Sequence, residues 1–152
     1  MKKILFLFSA LVLICAGCKS DDTTVTPSTP TEVEMASFSL DSISSSFGSG
    51  SVSQTRNFGS GALNFSDRDS TRISFSYKAA SNSNDTLFYI TDASNARLYT
   101  LRDASATDSY KSVNVTVPSI KLNALFYYTM KARTSGGVIP YIAIKDFKMY
   151  KK

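Results

Sequence analysis

Tyr89, Asn95, Arg97 and Tyr99 crowd around one short polar stretch, Asp92-Ala93-Ser94-Asn95, and together supply the side-chain types that recognise sugars. Aromatic rings stack on the apolar faces of sugar rings, and short amide, hydroxyl and guanidinium groups read the hydroxyls. Arg97 and Tyr99 share a parity opposite to Ala96 and Leu98, which predicts that both leave the buried face of a strand. Tyr89 lies on the preceding strand, and Tyr110, Tyr127 and Tyr141 are of the right type elsewhere.

Other chemistries are less well supplied. The 152 residues contain no His, which removes the commonest general base, the partner of a nucleophilic Ser or Cys, and the usual zinc ligand. Hydrolysis of a glycosidic bond needs two carboxylates roughly 5 to 9.5 Å apart. After Glu34 the chain has Asp but no Glu, and Asp103 and Asp108 in one loop read as solvated turn residues. No enzyme is expected. Asp67-Arg68-Asp69 with Asn64, and Asn82-Ser83-Asn84-Asp85, offer loop oxygens of the kind Ca²⁺ takes. Neither has the spaced carboxylates and closing Glu of a full calcium loop, and Asx turns account for both without a metal, so no cofactor is expected.

The elements that must position these residues read as strands. Ala36-Ser37-Phe38-Ser39-Leu40, Ile73-Ser74-Phe75-Ser76-Tyr77 and Val113-Asn114-Val115-Thr116-Val117 alternate apolar with polar at period two, and Pro118 ends the third. Leu87 to Ile90 and Ala96 to Leu101 flank a hairpin loop at Asp92–Asn95. Leu125 to Ala132 puts Phe126, Tyr128, Met130 and Ala132 on one face, and Ser135-Gly136-Gly137 then predicts a second hairpin into a strand over Val138 to Tyr150. In that last strand Ile142 and Ile144 share one parity and Phe147 and Met149 the other, so a β-bulge near Lys145-Asp146 is needed for all four to face the core. The fold class is all-β, an antiparallel β-sandwich. The ending Tyr141-Ile142-Ala143-Ile144-Lys145-Asp146-Phe147-Lys148-Met149-Tyr150 resembles the final strand of jelly-roll sandwiches related to carbohydrate-binding modules and galactose-binding-like domains. That resemblance implies a jelly-roll-like sandwich with a face or loop rim for sugars.

The N-terminus carries an address. Met1-Lys2-Lys3 and the apolar run Ile4 to Ile14 have the charge and length of a signal peptide, too short for a permanent membrane span. Cys15-Ala16-Gly17-Cys18 resembles the lipobox of bacterial lipoproteins, departing from it at Cys15, where Leu is usual. The resemblance implies removal of residues 1–17 and acylation of Cys18, and a lipoprotein's two or three acyl chains anchor far more firmly than one. Lys19 after that Cys implies the outer membrane, and Lys19-Ser20-Asp21-Asp22 resembles acidic signals for display at the cell surface. Residues 18–34, rich in Thr, Ser and Pro, form an extended spacer that can hold a single domain of residues 35–152 up to roughly 50 Å from the membrane. Asp22-Thr23-Thr24, Asp41-Ser42-Ile43, Asp69-Ser70-Thr71 and Asp85-Thr86-Leu87 resemble O-glycosylation sites of secreted proteins in one Gram-negative phylum.

The formal charge is +5, with 17 Lys and Arg against 12 Asp and Glu. Apart from Lys145, Lys148, Lys151 and Lys152, the cations are scattered, as on solvated strand faces; anionic glycan or lipid headgroups are the alternative partners, and nucleic acid is not expected. Two roles follow for a tethered, non-catalytic lipoprotein. One is carbohydrate binding through Tyr89, Asn95, Arg97 and Tyr99. The other is a structural or protein-interaction role in the cell envelope.

Overall fold

A computed structural model describes residues 31–46, 48, 50–81, 85–103, 109–135 and 137–152. The clearest strand runs Ser70–Ala80: Thr71, Ile73, Phe75, Tyr77 and Ala79 are buried, and every residue between them is half-exposed. This is the period-two pleat of a strand with one face on a core. Among the described residues the strands are β1 (Val33–Ser44), β2 (Gly50–Asn57), β3 (Leu63–Asn64), β4 (Ser70–Ala80), β5 (Thr86–Asp92), β6 (Arg97–Arg102), β7 (Lys111–Pro118), β8 (Asn123–Ala124), β9 (Phe126–Thr134) and β10 (Tyr141–Lys151).

Two four-stranded sheets, ordered β1-β10-β4-β7 and β2-β9-β5-β6, are built from antiparallel pairs, with β3 and β8 pairing separately. Except along the β5–β6 hairpin, the chain changes sheet at each step between these eight strands. This is the interleaved Greek-key connectivity of a jelly roll. The fold is therefore the all-β antiparallel sandwich that the strand pattern predicts, with the jelly-roll topology that the resemblance of its last strand implies.

The bulge in β10 is present. Opposite β4, Lys145 pairs with Ser76 and Lys148 with Ser74, so three steps on β10 match two on its partner. Asp146 takes up the slack in the left-handed region (φ 54°). Ile142, Ile144, Phe147 and Met149 all become fully buried as a result. Phe147 lies at the centre of an aromatic cluster, with ring centroids 4.8 Å from Phe38, 5.1 Å from Phe58, 5.9 Å from Phe75 and 6.0 Å from Phe88.

Three expectations need correction. Leu40 is 60% exposed rather than buried with Ala36 and Phe38. It pairs with outward Lys145, because β1 follows the irregular step of β10 and turns Asp41, opposite Ile144, inward in its place. β9 and β10 do not form a hairpin. Each already has two neighbours within its own sheet, and the Gly137 (φ 83°) to Pro140 segment carries the chain across the sandwich, where Pro140 has no N–H to give a ladder. The sheet also begins earlier than Met35. Val33 and Glu34 pair with Lys151 and Tyr150, and the Glu32 carboxylate accepts two-pronged bonds from Arg72 (Nε 2.9 Å, Nη2 2.6 Å), so 32–34 belong to the domain rather than the spacer. Residues 1–30, including Cys15 and Cys18, lie outside the described residues.

Phe147→Ala is expected to cost about 3 to 5 kcal/mol in urea unfolding, as for a large ring removed from a packed core. Leu40→Ser should change stability by less than about 0.5 kcal/mol, as at an ordinary surface position.

Candidate functional site

The β5–β6 hairpin is set by one carboxylate. Asp92 Oδ1 accepts from Ser94 N (2.8 Å), Ser94 Oγ (2.7 Å) and Ala96 N (2.9 Å), an Asx turn that reverses the chain in four residues. Asn95 completes the reversal at φ 68°, a conformation its short amide tolerates. The Ser94 hydroxyl first, then the Ala96 and Ser94 amides, hold the Asp92 carboxyl below its ordinary range against the opposing effect of burial.

This turn shifts the ladder beside it. Ile90 pairs with Tyr99, yet the next residue, Thr91, pairs with Arg97, leaving Leu98 as an extra residue on β6. Arg97 and Tyr99 are consequently turned to opposite sides, which corrects the expectation that they share a face. Tyr99 is half-buried, its ring edge-on to core Phe75 at 6.1 Å, and burial raises its hydroxyl pKa. Arg97 is exposed on the outer side, its guanidinium 4.1 Å from the centre of the Tyr89 ring. Lys131 approaches the same ring at 5.5 Å.

The outward side chains of β2, β9 and β5 surround a depression of about 310 Å³, lined by Thr55, Tyr89, Thr91, Asp92, Ala93, Asn95, Tyr127 and Thr129. Thr129 is buried at its base, paired across the sheet with Tyr89 on one side and Thr55 on the other, and the two threonine hydroxyls lie 2.8 Å apart. Two rings, several hydroxyls, an amide and a carboxylate therefore converge on one hollow. Of the sequence candidates, Tyr89 and Asn95 line it, Arg97 is stacked on its Tyr89 wall, and Tyr99 lies on the other side of the sheet. Tyr127 is brought in by β9, where its parity is opposite to buried Phe126 and Tyr128. Thr55, Thr91 and Thr129 were not legible, because the sequence shows them only as strand-forming residues.

A second depression, about 330 Å³, continues along β9 between Lys131 and Arg133, with Ser51 and Ser53 of β2, Thr86 of β5 and Asp85 just before it. Several cations elsewhere on the domain have carboxylate partners: Arg56 with Asp41 (3.0 Å), Arg72 with Glu32, Lys111 with Asp103 (2.7 Å), Lys121 with Asp69 (2.6 Å) and Lys151 with Asp67 (3.0 Å). On the outer face of the β1 sheet, Lys145 and Lys78 instead lie over the Tyr110 ring at 4.3 and 5.3 Å.

The first candidate calcium loop is occupied by such local bonds. Asn64 Oδ1 accepts from Ser66 N and Oγ, and Asp67 and Asp69 are paired with lysines that hold both carboxyls below their ordinary range. Asp103 accepts from the Tyr77 hydroxyl as well as from Lys111. Residues 82–84 and Asp108 lie outside the described residues.

No family model and no curated protein matches the chain. Among solved structures it is similar to a carbohydrate-binding module from Cellvibrio mixtus lichenase 5A in complex with cellotriose (10% identity, TM-score 0.45, 80% of this chain and 97% of that one). A carbohydrate-binding module of family 36 in complex with calcium and xylotriose (11%, 0.36, 80% and 99%) and the xylan-binding CBM22-1 domain of Paenibacillus barcinonensis Xyn10C (13%, 0.35, 78% and 97%) are also similar.

The depressed Asp92 pKa means that its contribution is complete above its unfolded value of about 3.9 and is lost as pH falls through the lower folded value. Any advantage in urea midpoint of the natural chain over Asp92→Asn at pH 7 should therefore shrink below about pH 4, as the native carboxylate protonates.

Proposed function

We propose that this chain is a non-catalytic carbohydrate-binding module, tethered to the outer membrane by acylated Cys18 and facing the cell surface, that reads glycan with the outward face of β2, β9 and β5. The observation that carries this reading is the hollow walled by Tyr89 and Tyr127 above the Thr55–Thr129 hydroxyl pair, a pairing of ring faces with short hydrogen-bonding groups that suits a sugar. The engagement of Asp41, Asp67, Asp69 and Asp103 by cations, and the lack of His in the sequence, support a binding rather than a hydrolytic role.

One observation favours the other role for the same tethered domain. Val138 and Ile139, 52% and 51% exposed, stand side by side on the crossing between sheets and offer a small apolar contact for an envelope protein.

Tyr127→Ala is expected to weaken binding to a retained polysaccharide about tenfold, while Val138→Ser with Ile139→Ser leaves it unchanged, both read by affinity electrophoresis. Loss in the second variant only would move the sugar contact to the crossing between sheets and contradict this face, and no retention of the natural chain by any polysaccharide would favour the protein-interaction role. For the tether, Cys18→Ala should move the chain from the membrane to the soluble fraction of a Gram-negative host, and unchanged membrane retention would remove the anchor from this proposal.

A further inference from the structure

We propose that the glycan taken by this face is anionic and lies along β9, with its sugar rings against Tyr127 and Thr129 and an acidic substituent at Lys131 and Arg133. This rests on the glycan-binding reading and adds the class of ligand. The outward residues 127, 129, 131 and 133 follow one another at two-residue steps, a run of about 20 Å. The two depressions open on successive parts of that run, the first at Tyr127 and Thr129 and the second at Lys131 and Arg133. Their shared strand fits an extended chain of sugars better than a single one.

Charge supplies the rest. Among the described residues Arg97, Lys131 and Arg133 have no carboxylate within ion-pairing distance, although most cations elsewhere on the domain are paired. Arg97 from β6 and Lys131 from β9, the two strands that flank β5, approach the same Tyr89 ring at 4.1 and 5.5 Å. Two carboxylates line the depressions. Oδ1 of Asp92 is committed to three bonds within its own turn, and Asp85 makes no ion pair with Lys131 or Arg133. A ligand carboxylate or sulfate would supply the missing counter-charge through charge-assisted bonds.

The test uses the purified full chain and two matched pairs of polymers, polygalacturonate with its fully methyl-esterified form and dextran sulfate with dextran, plus single-stranded DNA. At least one acidic polymer should be held ten or more times more tightly than its neutral partner, and the pair that discriminates identifies carboxylate or sulfate. Lys131→Gln with Arg133→Gln should abolish that preference. Lys78→Gln with Lys145→Gln removes the same charge from the opposite sheet and should alter affinity less than twofold, and Lys131→Arg should retain binding. The four residues' side chains are exposed or half-exposed, and unchanged melting curves would show that the variants are folded. Equal losses from the two double variants, or DNA held as tightly as the acidic polymer, would overturn the proposal as a mere response to net charge. Tyr127-dependent binding without an acidic preference would overturn it and leave the glycan reading standing, whereas no binding to any of the four polysaccharides would remove both.

Discussion

The three-residue step from Ile144 to Phe147 in β10 is the constraint from which the rest of the sandwich is set out. A residue other than Gly in the left-handed region costs about 1 to 2 kcal/mol. Asp146 bears that cost, and in return four large apolar side chains of a central strand, each stabilising by roughly 1.5 to 3 kcal/mol when buried, face the same way. β1 takes the same step opposite, which expels Leu40 and turns Asp41 inward. There the Asp41 carboxylate accepts from the Tyr128 hydroxyl (2.8 Å) on β9 and pairs with Arg56 (3.0 Å) on β2. Burial, then the bond to Asp41, pushes the Tyr128 hydroxyl far above its ordinary range. One irregularity in the first sheet thus ends in a polar tie to the two strands of the second sheet that carry Thr55, Tyr127 and Thr129.

A second irregularity gives that outer face its chemistry. Because the Asp92 turn inserts Leu98 into the ladder, β6 sends Tyr99 to the core and leaves Arg97 outside, stacked on Tyr89. With an unbroken ladder Arg97 would follow Tyr99 inward, and Tyr89 would keep only Lys131 near its ring. Both faces of the strand are used, one for stability and the other for an electropositive rim.

Much of this was legible in the sequence. Alternation identified β4, β7 and most of β1, the Asp92–Asn95 segment announced its turn, and the opposed parities of Ile142 and Ile144 against Phe147 and Met149 required the bulge that β10 contains. β2 was missed because its core-side row, Val52, Gln54 and Arg56, has Val52 as its single aliphatic side chain, so no alternation of apolar with polar is visible. Parity also cannot say which sheet a strand joins, so β9 and β10 looked like a hairpin when they face each other across the core. Counting by twos from Ala96 and Leu98 placed Arg97 and Tyr99 together because that count assumes a regular ladder. The hollow itself depends on three strands distant in sequence, so only its aromatic and turn residues could be named in advance.

The most direct measurement is amide and side-chain chemical-shift mapping of the labelled chain during titration with a galacturonate oligosaccharide. Shifts that saturate together at Tyr89, Asn95, Tyr127, Thr129 and Lys131, with Lys78, Tyr110 and Lys145 undisturbed, are the predicted result. Saturating shifts confined to the outer face of the β1 sheet, or none on either face, would contradict the assignment of β2, β9 and β5 as the ligand-reading surface.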